Sequence, residues 1–316
     1  MTAMPYQPPF AETISAAARA VMTPMLDPAA QPAVTPEMLL DPVTRDFVRA
    51  GAKAMLEPIE TARTARYGVE IDDDEMGAVP VRLVRRTGTG SGDRLLINFH
   101  GGGFVVDSGS LTESIPIAGL TGVAVATVDY RLAPEHPFPA AVDDALAVYR
   151  DALTRYAPSA IGVFGTSAGA ILTLQLLARA KAEGLPMPAA AGLFSGAGDL
   201  SVVGDCEAYL PSLSDGRPST DILASYCAET PRGDALLSPI RGDLTGLPPM
   251  LLMASTRDQL LSHTLIVDRA LRAAGVPVDL RVYEGMMHAF WAWIECPETD
   301  TALAAQADFF VRHLPA

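Results

Sequence analysis

The amino-acid sequence predicts an α/β protein, a mostly parallel sheet with helices on both faces. Three observations carry this. From about residue 94 onward, short apolar runs alternate with segments of helical periodicity. Two of the runs, Leu95–Phe99 and residues 123–128, are almost continuously apolar, as strands buried on both faces must be. The chain has 316 residues, 49% of them hydrophobic, enough for one large α/β domain or a domain with an insertion.

Residues 1–60 read as helices broken by prolines. Residues 12–23 are Ala-rich and end at Pro24. Residues 36–56 carry Met38, Leu39, Val43, Phe47, Val48 and Met55 at helical spacing. Thr35 before Pro36 suits an N-cap followed by proline at the first helical position, and Pro42 is expected to kink or divide this helix. Two readings fit the segment: an extension packed on the core, or a lid over an active site. Residues 67–71 and 79–84 then predict a hairpin around an acidic turn, Asp72-Asp73-Asp74-Glu75, read as solvated rather than metal-binding. Residues 87–93 read as a plain Gly-rich loop that opens no helix, which disfavours phosphate binding. Beyond the two apolar strands come a helix at 139–154, a strand at 160–164, a helix at 167–183 closed by Gly184 and a strand at 189–194. A strand at 250–254, a helix at 262–274, a strand at 278–283 and a helix at 300–313 complete the pattern. Residues 202–246 break the rhythm and read as inserted.

Composition removes several classes of function. With 23 basic and 37 acidic residues the net charge is −14, and no Lys/Arg run offsets it, which disfavours nucleic acid. Lys53 and Lys181 are the only lysines, which disfavours Schiff-base chemistry and a P-loop. Cys206, Cys227 and Cys296 are odd in number and form no CxxC, so neither a disulfide framework nor a thiolate metal site is expected. That usage fits a reducing cytoplasm. Arg19 is the first basic residue, so no secretory signal is expected, and no apolar run approaches the roughly 20 residues of a membrane span.

The strongest chemical signal is Gly165-Thr166-Ser167-Ala168-Gly169, between an apolar strand and an Ala/Leu-rich helix. In that context G-x-S-x-G reads as a sharp strand-to-helix turn presenting a nucleophilic serine. A serine hydroxyl needs a base. Of the five histidines, His313 lies in the last helix, His263 opens a helix on its expected surface side, His136 sits in a proline-rich loop and His100 starts a glycine run. His288 follows the last strand at the same sheet edge as Ser167. A carboxylate must then orient the imidazole. Asp258 follows the strand at 250–254, and Asp199 is the alternative, after the strand at 189–194. The order Ser167, Asp258, His288 is the one expected on such a sheet. His100-Gly101-Gly102-Gly103-Phe104 directly follows Leu95–Phe99, so the N–H groups of Gly102 and Gly103, with that of Ala168, are candidate oxyanion donors.

Together these segments resemble the hormone-sensitive-lipase-like esterases, the bacterial family IV branch of the α/β-hydrolases. The likeness rests on HGGGF at 100–104, on Asp129-Tyr130-Arg131-Leu132-Ala133-Pro134-Glu135 with His136-Pro137-Phe138-Pro139-Ala140-Ala141, and on GTSAG at 165–169. Asp258 and the loop at 285–290 complete it. It spans roughly residues 65–315. Thr166 stands where many members carry Asp, which places the chain with the GTSAG variant group, and Arg257-Asp258-Gln259-Leu260 departs slightly from Asp-Pro-Leu. The resemblance implies an eight-stranded, mostly parallel sheet with a helical cap. It divides the chain into cap helices at 1–60, a first catalytic part at 61–201, a cap insertion at 202–246 and a second catalytic part at 247–316. It implies hydrolysis of short to medium acyl esters without a cofactor, and a homodimer contact through residues 278–283. Expected pocket walls are Phe104, Met287 and Phe290, with Tyr209 and Leu210 from the cap. An amidase or deacetylase using the same residues, and a non-catalytic ligand receptor, remain as alternatives.

Overall fold

The computed structural model describes residues 9–26, 36–90, 92–210 and 223–314, apart from the side chains of Pro36, Glu37 and Tyr209. In chain order come helices α1 (Ala16–Met22), α2 (Pro36–Leu40) and α3 (Pro42–Tyr67). Strands β1 (Val69–Met76), β2 (Val79–Arg86) and β3 (Leu95–Phe99) follow, then α4 (Ser110–Thr121) and β4 (Ala124–Val128). The alternation continues with α5 (Ala140–Arg155), β5 (Ile161–Thr166), α6 (Ala168–Ala182) and β6 (Ala190–Phe194). Two short helices, α7 (Asp205–Tyr209) and α8 (Ala224–Cys227), lie in the stretch read as inserted. The last elements are β7 (Met250–Arg257), α9 (Leu261–Ala273), β8 (Val278–Met287), α10 (Phe290–Trp293) and α11 (Pro297–His313).

The eight strands form one sheet in the order β1-β2-β4-β3-β5-β6-β7-β8. β2 runs antiparallel to both β1 and β4, and the other pairings are parallel. Every residue of β3, β4, β5 and β6 is buried, because the crossover helices cover both faces. The carboxyl ends of β3, β5, β6, β7 and β8 therefore open on one rim. The chain leaves β3 towards β4 on one side and returns to β5 on the other. That reversal leaves a crevice above β3 and β5, the usual ligand position in an open α/β sheet.

Several local expectations change. The acidic residues 72–75 lie within β1, not in a turn. The reversal occurs at Gly77 and Ala78, with φ of 60° and 63°, as a two-residue type I′ hairpin requires. β1 edges the sheet, so its carboxylates stay solvated, and Arg85 pairs with Glu70 and Asp72. Pro42 divides the helical stretch, one of the two outcomes expected of it: α2 ends at Leu40, and Asp41 accepts from Thr44 N–H at 2.9 Å as the N-cap of α3. α3 then runs unbroken to Tyr67, so the boundary at 60 falls inside it. Leu39 is buried, but Val43, Phe47 and Met55 are exposed, while Arg45 and Arg63 are buried. The guanidinium of Arg63 is drawn in by the carbonyls of Thr112, Trp291 and Ala292. α4 was not expected at all. Its residues from Ser110 to Gly119 are all buried, so it has no polar face to create a helical period.

The amino-terminal segment packs beside β8. Ser15 caps α1 by accepting from Ala18 N–H at 3.0 Å and donates its hydroxyl to Glu298 of α11 at 2.8 Å. Phe10, Ile14, Ala18 and Met22 join the core formed by Met286, Met287 and Phe290.

Candidate active site

β5 ends at Thr166 and α6 begins at Ala168, so Ser167 alone turns the chain. It does so at φ 58°, ψ −119°, a conformation that disfavours any side chain. Two positions before and two after it, only glycine fits. A Cβ on Gly169 would lie 1.8 Å from Phe99 O, and one on Gly165 would lie 2.4 Å from Gly169 C. The elbow thus touches the end of β3 backbone to backbone. The N–H of Ser167 donates to Phe194 O at 2.8 Å, while Ser167 O accepts from Ala170 and Ile171.

From Phe194 a short chain of contacts leads to the imidazole. Ser195, the next residue, holds φ 51° and donates its hydroxyl to Asp258 Oδ2. Asp258 is fully buried after β7; its Oδ1 lies 2.7 Å from His288 Nδ1 and accepts from the Leu260 N–H at 2.8 Å. Burial raises the Asp258 carboxyl, but the imidazole and these donors outweigh it and hold it below the usual range. The reciprocal effect acts on His288. Burial lowers it, and the Asp258 charge and hydrogen bond raise it above its ordinary value. An irregularity in the β7–β8 ladder aims this loop, and Ser255 Oγ fixes it by donating to Met287 O at 2.9 Å.

The glycine loop lies against the elbow. A Cβ on Gly101 would sit 3.2 Å from Ser167 Cβ, and one on Gly102 would sit 1.9 Å from Val106 O. Gly102, Gly103 and Phe104 all have positive φ, at 109°, 62° and 63°. Among the described residues neither the Gly102 nor the Gly103 N–H reaches a backbone acceptor. Ala168 opens α6, where an N–H has no intrahelical partner. His100 pins the loop from below. It is fully buried, places Nδ1 2.7 Å from Gly101 O, and stacks on Tyr130 at 4.2 Å between centroids.

The other candidates lie elsewhere. Asp199 pairs with Arg241 at 2.9 Å and accepts from Ser201. His263 is not on the surface: it is 1% exposed and its Nε2 lies 2.5 Å from Glu207 Oε2, joining α9 to α7. Phe104 is sealed between Tyr130 and Tyr226, stacked on Tyr226 at 3.5 Å. Phe290 is equally buried, against Tyr283 and Trp291. Neither ring offers surface to a ligand in this structure, because both complete the core beneath the rim. Met287 is 7% exposed and Leu210 is half-buried; the Tyr209 side chain lies outside the described residues. Ser195 was not expected at the site. Its one signal was its place at the carboxyl end of a predicted strand.

A family description of the alpha/beta hydrolase fold matches residues 96–292. An acetyl-hydrolase of Streptomyces hygroscopicus is 34% identical over 219 residues, 67% of this chain and 71% of that protein. Carboxylesterase NlhH of Mycobacterium tuberculosis is 30% identical over 83% of this chain and 90% of its own length. The crystal structure of esterase E25 superposes with a TM-score of 0.82 at 30% identity, covering 99% of this chain and 98% of that one. An esterase from the bacterial hormone-sensitive lipase family superposes with a TM-score of 0.80 at 29% identity, over 95% of this chain and 99% of its own. The chain belongs to the alpha/beta hydrolase fold family, among its hormone-sensitive-lipase-like carboxylesterases.

Proposed function

We propose that this protein hydrolyses carboxylic esters of short to medium acyl chains by a Ser167–His288–Asp258 triad. The observation that carries the reading is the 2.7 Å contact between buried Asp258 and His288 Nδ1, linked through Ser195 and Phe194 to the strained Ser167. The Asp258 contact keeps the Nδ1 proton on His288, which leaves Nε2 as the basic nitrogen. Ser167 Oγ attacks the ester carbonyl as its proton passes to Nε2. The oxyanion forms against the N–H groups of Gly102, Gly103 and Ala168, where the amino end of α6 also favours negative charge. Loss of one such donor raises a barrier of this kind by ~2.7–4 kcal/mol. His288 protonates the leaving alcohol, then activates water to release the acid. Asp258 stays ionised throughout. Met287 and Leu210 are the proposed pocket residues, and no cofactor enters any step.

The test is turnover of p-nitrophenyl esters from C2 to C16, with a matched amide. The wild type should cleave the shorter esters, and Ser167→Ala and His288→Ala should each abolish turnover while folding normally. An inert wild type would revive the receptor reading, and preference for the amide would support the amidase. Full activity in either variant would end the triad assignment.

A further inference from the structure

Glu113 is a buried carboxyl that the proposed reaction leaves unused. It lies in the first turn of α4 and is 2% exposed. Three parts of the proposed site converge on it. Trp291 Nε1, three residues beyond His288, reaches both Glu113 Oε1 at 3.3 Å and Thr166 Oγ1 at 3.2 Å. Thr166 precedes the nucleophile, and the Trp291 indole N–H bridges its hydroxyl and the Glu113 carboxyl. Asn98 Nδ2, from the strand that leads into the glycine loop, approaches Glu113 Oε2 at 3.5 Å. Asn98, Thr166 and Trp291 are all buried, so water does not compete for these contacts.

We infer that Glu113 is a positioning residue: it ties the Ser167 elbow to the His288 loop and places a second negative charge, behind Asp258, in the field of the imidazole. The inference rests on the triad proposed above. Burial pushes the Glu113 carboxyl up to about 7, against the hydrogen bonds from Thr166, Asn98 and Trp291 and the charge of Arg63. Its ionised form in turn raises His288, in the same direction as Asp258. Among the described residues, the charged groups acting on the pair are Arg63 from α3, itself bound to Glu295, and Asp258 after β7. The effect of Glu113 on His288 adds to that of Asp258 and is the smaller of the two. Thr166, noted above as a departure at the elbow, shares the Trp291 N–H with the carboxyl and so connects it to the nucleophile turn.

The experiment compares pH profiles of kcat/KM on p-nitrophenyl butyrate for wild type, Glu113→Gln and Thr166→Val, with thermal unfolding as a check on folding. The glutamine keeps an acceptor for Trp291 and removes the charge. It should move the acid limb down by about half a pH unit, roughly threefold more activity on the acid side relative to its own plateau. Thr166→Val removes a donor that favours the ionised carboxyl, so its limb should move the same way. Glu113→Asp, which keeps the charge, should restore the wild-type limb in part. A folded Glu113→Gln protein with an unmoved limb overturns the inference. Collapse of both Glu113→Gln and Thr166→Val assigns the cluster to stability and overturns it as well. A flat wild-type profile strikes the His288 assignment itself, whereas a normal wild-type limb that Glu113→Gln leaves in place strikes only the role of Glu113.

Discussion

Replacing Ser167 by glycine should leave a more stable protein than replacing it by alanine. Both changes remove the hydroxyl, so its interactions cancel in the comparison. What differs is the backbone. At φ 58°, ψ −119° a Cβ crowds its own peptide, and such strain costs about 1–3 kcal/mol. Glycine relieves it but loses about 0.5–1 kcal/mol through the greater freedom of its unfolded chain. The net expectation is that Ser167→Gly exceeds Ser167→Ala by up to about 2.5 kcal/mol. An unfolding entropy of roughly 2.1 cal/mol/K per residue over 316 residues makes 1 kcal/mol worth about 1.5 °C in Tm. Calorimetry and equilibrium urea unfolding should therefore separate the two by up to about 4 °C, with a higher midpoint for glycine at unchanged m. Both proteins should be inactive. If alanine proves more stable than glycine, Ser167 is not strained, and the elbow is not the sharp turn described.

Other consequences are simpler to read. Asp258→Asn should cut kcat by several orders of magnitude, about 10⁴ where an equivalent aspartate has been changed, with KM little altered. Asp199→Asn should instead weaken the Arg241 contact and leave kcat within about threefold, since an ion pair with a partly exposed partner contributes little; steady-state kinetics on both variants decides, and the reverse ranking would move the acid to Asp199. The pH dependence has a definite sign. His288 must be neutral to accept a proton, and its pKa is raised from 6.5 by Asp258 against the effect of burial. Activity should be lost as pH falls through that raised value, so the acid limb of kcat/KM should be centred above pH 6.5, and a limb centred well below it would contradict the pairing.

Much of the architecture was legible because its signals are local. Continuous apolar runs marked β3 and β4, since a strand covered on both faces has no polar alternation. GTSAG and HGGG were readable because each follows a strand and because small residues are required where backbones meet. Gly169 against Phe99 O shows the contact that demands one. Elements with no periodic contrast were hidden. α4 is buried on nearly every side, and the hairpin turn uses Ala78 at positive φ where glycine or asparagine is the expected cue. α3 misled in the opposite way, because Val43, Phe47 and Met55 face solvent while Arg63 finds carbonyls inside.

By itself, the order of residues determined the sheet class, the rim on which the candidate groups gather and the residue types offered there. Those follow from periodicity and from the space a turn leaves for a side chain, both of which act over a few residues. Only the tertiary structure decided that Asp258 rather than Asp199 meets His288, that Ser195 holds the far oxygen of Asp258, that His263 is buried against Glu207 and that Phe104 and Phe290 are core. Each depends on which long-range partner satisfies a buried polar atom or fills a gap, and residues far apart in the chain compete for those places in ways that no local pattern records.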